Sequence, residues 1–171
     1  YKELLNRASS NKFEPLIPCY LNEKLDLEDF RKGIQNKVFF GSKLYPSNAT
    51  TNSSHGVSDI SKIFKFLEIL EEEKSPLLIH GEKVTENIDI FDREKYFIDD
   101  ELSIIRKKFP LLKITLEHVS TSYGVNYVKE NENIAGTITP HHMLLTKKDV
   151  FHDDSILSLI HISEPTRLPG I

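Results

Sequence analysis

The sequence predicts an α/β fold, a parallel sheet of short strands covered by helices, and three observations predict it. Short apolar, β-rich runs alternate with longer amphipathic runs, the pattern of βαβ units. Several short runs, FEPLIP (13–18), PLLI (76–79) and KITL (113–116), are near-continuously apolar, as strands covered on both faces are. Chemistry-bearing residues recur at the ends of successive runs: Lys43, His80 and His118 lie 37 and 38 residues apart, one βα unit each time. Periodicity alone leaves two architectures open, a doubly wound open sheet and part of a (β/α)8 barrel.

The elements follow in order. Tyr1, Leu4 and Leu5, with charges between them, read as the inside of a helix. Residues 13–21 read as a strand and 25–35 as a helix capped by Asp26, with acids in its first turn. Residues 38–45 form the next predicted strand. The stretch 46–56, PSNATTNSSHG, is small, polar and Gly-terminated, the composition of a loop or lid. Ile60, Ile63, Phe64, Leu67 and Leu70 recur at helical spacing and predict a helix over 58–74. Residues 76–82 read as a buried strand. Phe97, Leu102, Ile105 and Phe109 mark the apolar side of a helix over 92–109. A strand over 113–120, a short helix over 121–129 and a last strand with its exit over 133–145 complete the pattern.

Composition bounds the function. The 171 residues suit one domain, and a chain of this size buries roughly 70% of its unfolded surface. With 39% hydrophobic and 28% charged residues it is of ordinary globular composition. A net charge of −4 without a basic block argues against nucleic acid as a partner. No apolar run reaches the roughly 18–20 residues of a membrane span, so no membrane partner is expected. A single cysteine, Cys19, forms no internal disulfide, and a cytoplasmic setting is expected.

Successive parallel strands present their carboxyl ends on one face. Lys43, His80 and His118 are therefore expected to converge on one mouth, where barrel active sites are built. Two imidazoles at matched strand ends suit Zn²⁺. A lysine among them needs its own account, because an ammonium has no lone pair and repels a cation. Desolvation favours the neutral amine. A neutral amine that captures CO2 becomes a carbamate, whose two oxygens can bridge two metals. The bland alternatives are satisfied core histidines and a lysine that snorkels to the surface.

Five segments in order, GSKLYPSNATTNSSHGV (41–57), LLIHGE (77–82), IDIFDRE (88–94), LEHVST (116–121) and TITPHHMLL (137–145), resemble dihydroorotase of the single-domain bacterial type, in the amidohydrolase superfamily. The likeness runs over about residues 13–150. It implies a partial (β/α)8 TIM barrel, about strands 3 to 7. It also implies a binuclear zinc centre and the interconversion of N-carbamoyl-L-aspartate and L-dihydroorotate in pyrimidine biosynthesis. By the same resemblance Lys43 is the carboxylated lysine bridging two Zn²⁺, His80 and His118 are metal ligands, and Thr50 and Thr51 bind substrate from a loop that closes over it. The small-molecule substrate is the expected partner, with a homodimer when intact. Glu82 and Glu117 flank the ligand histidines. Strand alternation turns Glu117 away from the mouth if His118 faces in, which favours Glu82 as the residue orienting them. His141 and His142 are expected to pack near the mouth rather than bind metal, and His55 to have a structural role. The sequons at Asn48 and Asn52 are read as lid chemistry rather than sugar sites.

Family features without a counterpart here are a His-x-His pair and an Arg on the first strand, an Asn on the second, and the Asp on the eighth that acts as general acid/base. No catalytic acid/base is therefore expected within the chain. The reading is of an internal fragment, with roughly 60 residues preceding Tyr1 and well over 100 following Ile156 in the intact protein. Residues 1–156 are read as the partial amidohydrolase barrel. Residues 157–171, beginning LSLIHISEPTR, resemble a translated sequencing adapter and are read as a non-native tail. The polypeptide itself is expected to be inactive, with strand edges and an apolar inner face exposed. Competing readings are another cyclic-amide hydrolase of hydantoinase or allantoinase type, against which the SNATTNSSHG loop speaks, and a non-catalytic barrel scaffold.

Overall fold

The structure is a computed structural model that describes residues 3–5, 14–50, 53–146, 149, 151–152 and 155–156. It comprises two compact units, Tyr1–Thr137 and Ile138–Ile171. Thr51 and the predicted tail, 157–171, lie outside the described residues.

The first unit is a five-stranded parallel sheet: β1 (Cys19–Tyr20), β2 (Ser42–Leu44), β3 (Leu77–His80), β4 (Ile114–Glu117) and β5 (Ile134–Gly136). Spatial order follows chain order, β1-β2-β3-β4-β5. A doubly wound sheet reverses direction at a switch point; this one never does, which is the order of a barrel wall.

Between the strands lie α1 (Leu27–Gln35), a 3-10 turn (Ile60–Ile63) running into α2 (Phe64–Glu72), a helical stretch of α3 (Arg93–Phe97), a π segment (Ile98–Leu102) and α4 (Ser103–Lys108), and then α5 (Ser122–Glu130). Asp26 caps α1 as expected, its side chain accepting from Asp29 N at 2.9 Å. Thr121 does the same for α5, accepting from Gly124 N at 3.0 Å. Arg31–Glu72 and Gln35–Glu73 bonds, each 2.8 Å, join α1 to α2, and Phe30 meets Phe66 edge-on beneath them.

Two predicted elements differ. The strand over 13–21 forms ladder pairs only at Cys19 and Tyr20. Pro15 and Pro18 have no N–H to donate, so the approach to β1 is extended and tied at Phe40 N to Ile17 O, 3.0 Å. The run 133–145 is not one strand with an exit. After β5 the chain enters the second unit, where α6 (Pro140–Leu144) begins with proline at its first turn, a position that needs no N–H. That unit also holds an antiparallel pair, β6 (Phe151–His152) and β7 (Ser155–Ile156).

Strand alternation sorts the sheet into two faces. Ser42, Leu44, Leu77, Ile79, Ile114 and Leu116 are buried, and the five apolar ones belong to the main core with Ile63, Leu67, Leu70, Phe97, Leu102 and Ile105 from the helices. Tyr20, Lys43, Leu78, His80, Thr115 and Glu117 share the opposite, inner face, in register: Tyr20 beside Lys43, Lys43 beside Leu78, His80 beside Glu117. Of these only Lys43 is buried; the others are half-buried.

Candidate metal centre and strand-end mouth

Polar groups gather where β2, β3 and β4 end. Lys43 is 8% exposed, with its ammonium bonded to Glu117 and lying 4.6 Å from the centre of the Tyr45 ring. Tyr45 stacks on Tyr20 at 5.6 Å and meets the His80 ring at 5.7 Å. His80 Nδ1 and His118 Nε2 are 2.9 Å apart. The three residues expected from sequence thus stand in one connected cluster on the inner face.

His118 reaches it by a detour. β4 ends at Glu117, and one further extended residue would point its side chain into the helical layer. Instead His118 adopts φ 47, a left-handed conformation rare for a residue with a side chain, which brings its ring to His80. The expectation that Glu117 would turn away from the mouth is corrected here. With His118 outside the strand's alternation, Glu117 stays on the inner face and pairs with Lys43.

Electrostatics follow from this crowding. Burial pulls the Lys43 amine below its ordinary pKa, with the Glu117 carboxylate opposing. Burial, His80 and Lys43 together hold His118 down, toward the neutral imidazole a metal requires. Burial pushes Glu82 up, but its contact with His80 and the charges of His80, Arg93 and His118 prevail and hold it low. His80 Nε2 is buried without a hydrogen-bond partner, Glu82 Oε2 standing 3.6 Å away.

The loop 46–57 is pinned at its neck. Pro46 bridges Val57, Val57 N donates to Tyr45 O at 2.8 Å and Ser47 N to Val57 O at 2.9 Å. A Cβ at Gly56 would stand 2.4 Å from Tyr45 O, so the neck admits glycine alone. Thr50 is exposed, with its N–H bonded to Ser53 Oγ at 2.9 Å and its carbonyl accepting from that hydroxyl at 2.6 Å. Ser53, 2% exposed, organises this turn; nothing in NATTNSS singles it out from its neighbour Ser54. Thr51, the other substrate-binding residue expected, lies outside the described residues. His55 is exposed and lines a cavity of about 640 Å³ with Tyr20, Glu23 and Ser47. His141 and His142 sit on α6 in the second unit, their rings 4.4 Å apart and His141 Nε2 3.1 Å from Thr139 Oγ1. Helical rather than strand geometry governs where they point.

The donor set fits a metal. It offers two imidazoles, one with an orphaned buried nitrogen, and a desolvated amine able to become a carbamate. Among the described residues no three His, Cys, Asp or Glu side chains cluster as a ready metal site. Oxygen stands beside these nitrogens in the carboxylates of Glu82 and Glu117.

No protein-family model matches the chain. Curated relatives do. A dihydroorotase of Buchnera aphidicola subsp. Schizaphis graminum is 46% identical over 155 residues, 89% of this chain and 44% of the relative. A dihydroorotase of Escherichia fergusonii is 46% identical over 140 residues, 81% of this chain and 40% of the relative. The chain is a homologue of dihydroorotase. It spans less than half the length of the dihydroorotases it matches. Solved dihydroorotases agree in fold: that of Campylobacter jejuni superposes with a TM-score of 0.76 at 36% identity, covering 88% of this chain and 43% of that one. The Saccharomyces cerevisiae dihydroorotase, solved with 5-fluoroorotic acid, gives 0.79 at 29% identity, covering 87% and 45%. A D-hydantoinase at 15% identity and TM-score 0.50 shares the fold alone. The sheet is therefore part of a dihydroorotase-type (β/α)8 barrel wall.

Proposed function

We propose that the protein to which this chain belongs is a zinc-dependent dihydroorotase, interconverting N-carbamoyl-L-aspartate and L-dihydroorotate in the cytoplasm. The observation that carries this is the convergence of Lys43, His80 and His118 on one strand-end cluster in a chain homologous to dihydroorotases. His80 and His118 would hold zinc as neutral imidazoles. Carboxylated Lys43 would bridge two ions, exchanging its present partner Glu117 for them.

Bound zinc would polarise an amide carbonyl and acidify water, the chemistry a cyclic-amide hydrolysis needs. The chain's residues prepare for it. Burial favours the uncharged Lys43 amine, which attacks CO2 through its lone pair and releases one proton to give the carbamate. Its formation moves negative charge into the mouth, beside Glu117. Tyr20 and Tyr45, stacked beside Lys43, exclude water from one side. Ser53 holds the backbone of Thr50 in a turn, and Thr50 and Thr51 would hydrogen-bond the substrate carboxylate. The general acid/base belongs to sequence outside these 171 residues.

The test uses the complete reading frame. The intact protein should contain zinc and turn over both substrates. Lys43→Ala, His80→Ala and His118→Ala should each lower kcat/KM by at least about 10³, the scale of losing a metal ligand or its charge stabilisation. An intact, zinc-loaded protein without turnover, or one indifferent to Lys43→Ala, overturns the reading.

A further inference from the structure

The left-handed turn that presents His118 leaves an accounting problem in the sheet. In the β4–β5 ladder Thr137 N donates to Leu116 O at 3.0 Å. A regular parallel ladder would next give Thr137 O the N–H of residue 118. Thr137 O instead accepts from Val119 N at 2.8 Å. His118 is therefore an extra residue in β4's side of the ladder, a bulge, and its N–H is displaced from the backbone acceptor. Such a position ordinarily suits glycine, and a side-chain-bearing residue there costs of order a few-fold to a hundredfold in population unless its surroundings hold it. The displaced N–H finds its partner in the Thr137 hydroxyl, His118 N to Thr137 Oγ1 at 2.8 Å. On the far side of the bulge, Ser120 and Thr121 are anchored to the buried carboxylate of Glu94, with Ser120 N at 3.0 Å and Thr121 N at 3.1 Å.

We propose that Thr137 is a positioning residue for the metal centre, its hydroxyl holding His118 in the left-handed bulge that swings the imidazole onto the inner face beside His80. The inference rests on the metal reading of His118 given above and extends it to a residue that need not touch metal or substrate. Valine is the near-isosteric replacement that removes the acceptor, and serine the one that retains it.

Zinc titration of the intact protein, made from the complete reading frame, against a chromophoric chelator, with circular dichroism to confirm folding, reads the effect. Wild type should bind zinc, and His118→Ala should lose it. Thr137→Val should weaken zinc binding about 10–100-fold, the usual consequence of removing a group that orients a ligand. Thr137→Ser should restore it to within about threefold. Amide exchange at His118 supplies a second readout: its protection should fall in Thr137→Val and return in Thr137→Ser. A wild type that binds no zinc, or binding indifferent to His118→Ala, overturns the metal reading and this inference with it. Zinc lost on His118→Ala but kept on a folded Thr137→Val overturns the inference alone. Should Thr137→Val not fold, Thr137→Ala takes its place, with Thr137→Ser as the reference and the same two outcomes.

Discussion

Glu94 shows how much a single buried carboxylate can hold. It is 7% exposed, and its two oxygens accept from Ser120 N and Oγ and from Thr121 N and Oγ1, joining α3 to the residues that lead into α5. An acid at a helix N-terminus is also favoured by the helix dipole. In Glu94→Gln one oxygen keeps its donors while the amide NH2 faces two others, leaving buried groups unsatisfied. Charged hydrogen bonds contribute about 1.5–3 kcal/mol each, so a net loss of about 2–3 kcal/mol is expected, seen as a drop of about 1–2 M in the urea midpoint. A midpoint within 0.3 M of wild type, on the order of measurement error, contradicts this. The residue scale is where sequence reading was least complete. The convergence of Lys43, His80 and His118 is legible because their spacing matches the strand pitch. Glu94 lay within the quoted IDIFDRE motif, yet its partners are 26 and 27 residues away and only the fold joins them. Alternation carried through His118 turns Glu117 away from the mouth, and a left-handed bulge at a histidine has no signature in composition.

Among the elements, the join between the β1 exit and the start of the 3-10 turn depends on Glu23. Its carboxylate takes Lys62 Nζ at 2.8 Å, Ser58 N at 2.7 Å, Ser58 Oγ at 2.6 Å and Asp59 N at 3.2 Å. The Lys62 bond, followed by those from Ser58, lowers its pKa from 4.5 to about 2. A carboxyl depressed on folding contributes stability that is present above the unfolded pKa and lost as pH falls through the folded one. The contribution is therefore complete above about pH 5 and lost between about pH 4.5 and 2. Urea midpoints measured from pH 7 to pH 2 should fall more steeply for wild type than for Glu23→Gln across that window, the curves converging at the acid end. Parallel curves would show that the tie contributes nothing. Helices were the more legible elements, since α1 and α5 carry side-chain caps and the apolar spacing of 92–109 runs through its π segment unbroken. Strand extents were less so. Apolar runs mark where a strand is buried, whereas the ladder depends on available N–H groups, which Pro15 and Pro18 lack.

At the scale of the molecule, the pitch of 37–38 residues and the apolar strand runs make a parallel α/β sheet legible and leave a doubly wound sheet and a barrel open, and sequential strand order favours the barrel wall. The same order sets a liability. The helix-facing residues Leu44, Leu77, Ile79 and Leu116 are at most 1% exposed, whereas Leu78 and Thr115 on the inner face are half-buried. A cavity of about 910 Å³ opens at the strands' amino ends, lined by Pro15, Leu16, Ile17, Val38, Phe40 and Leu78 among others, at the end of the sheet opposite the Lys43, His80 and His118 cluster. Among the described residues β1 and β5 each have a strand partner on one side only. That apolar cavity, beside an unpaired strand edge, is a template for association. The isolated 171-residue polypeptide is therefore expected to bind an apolar dye such as ANS and to grow in mean mass, by light scattering, as its concentration rises through the micromolar range. Ala135, exposed on β5, pairs with Thr115 and so shares the inner face. Ala135→Lys places a charge on that face at the edge, the device natural sheets use against edge pairing. It should hold the chain monomeric at concentrations where wild type associates. A wild-type chain that stays monomeric and dark to ANS throughout would mean that the inner face is covered in solution.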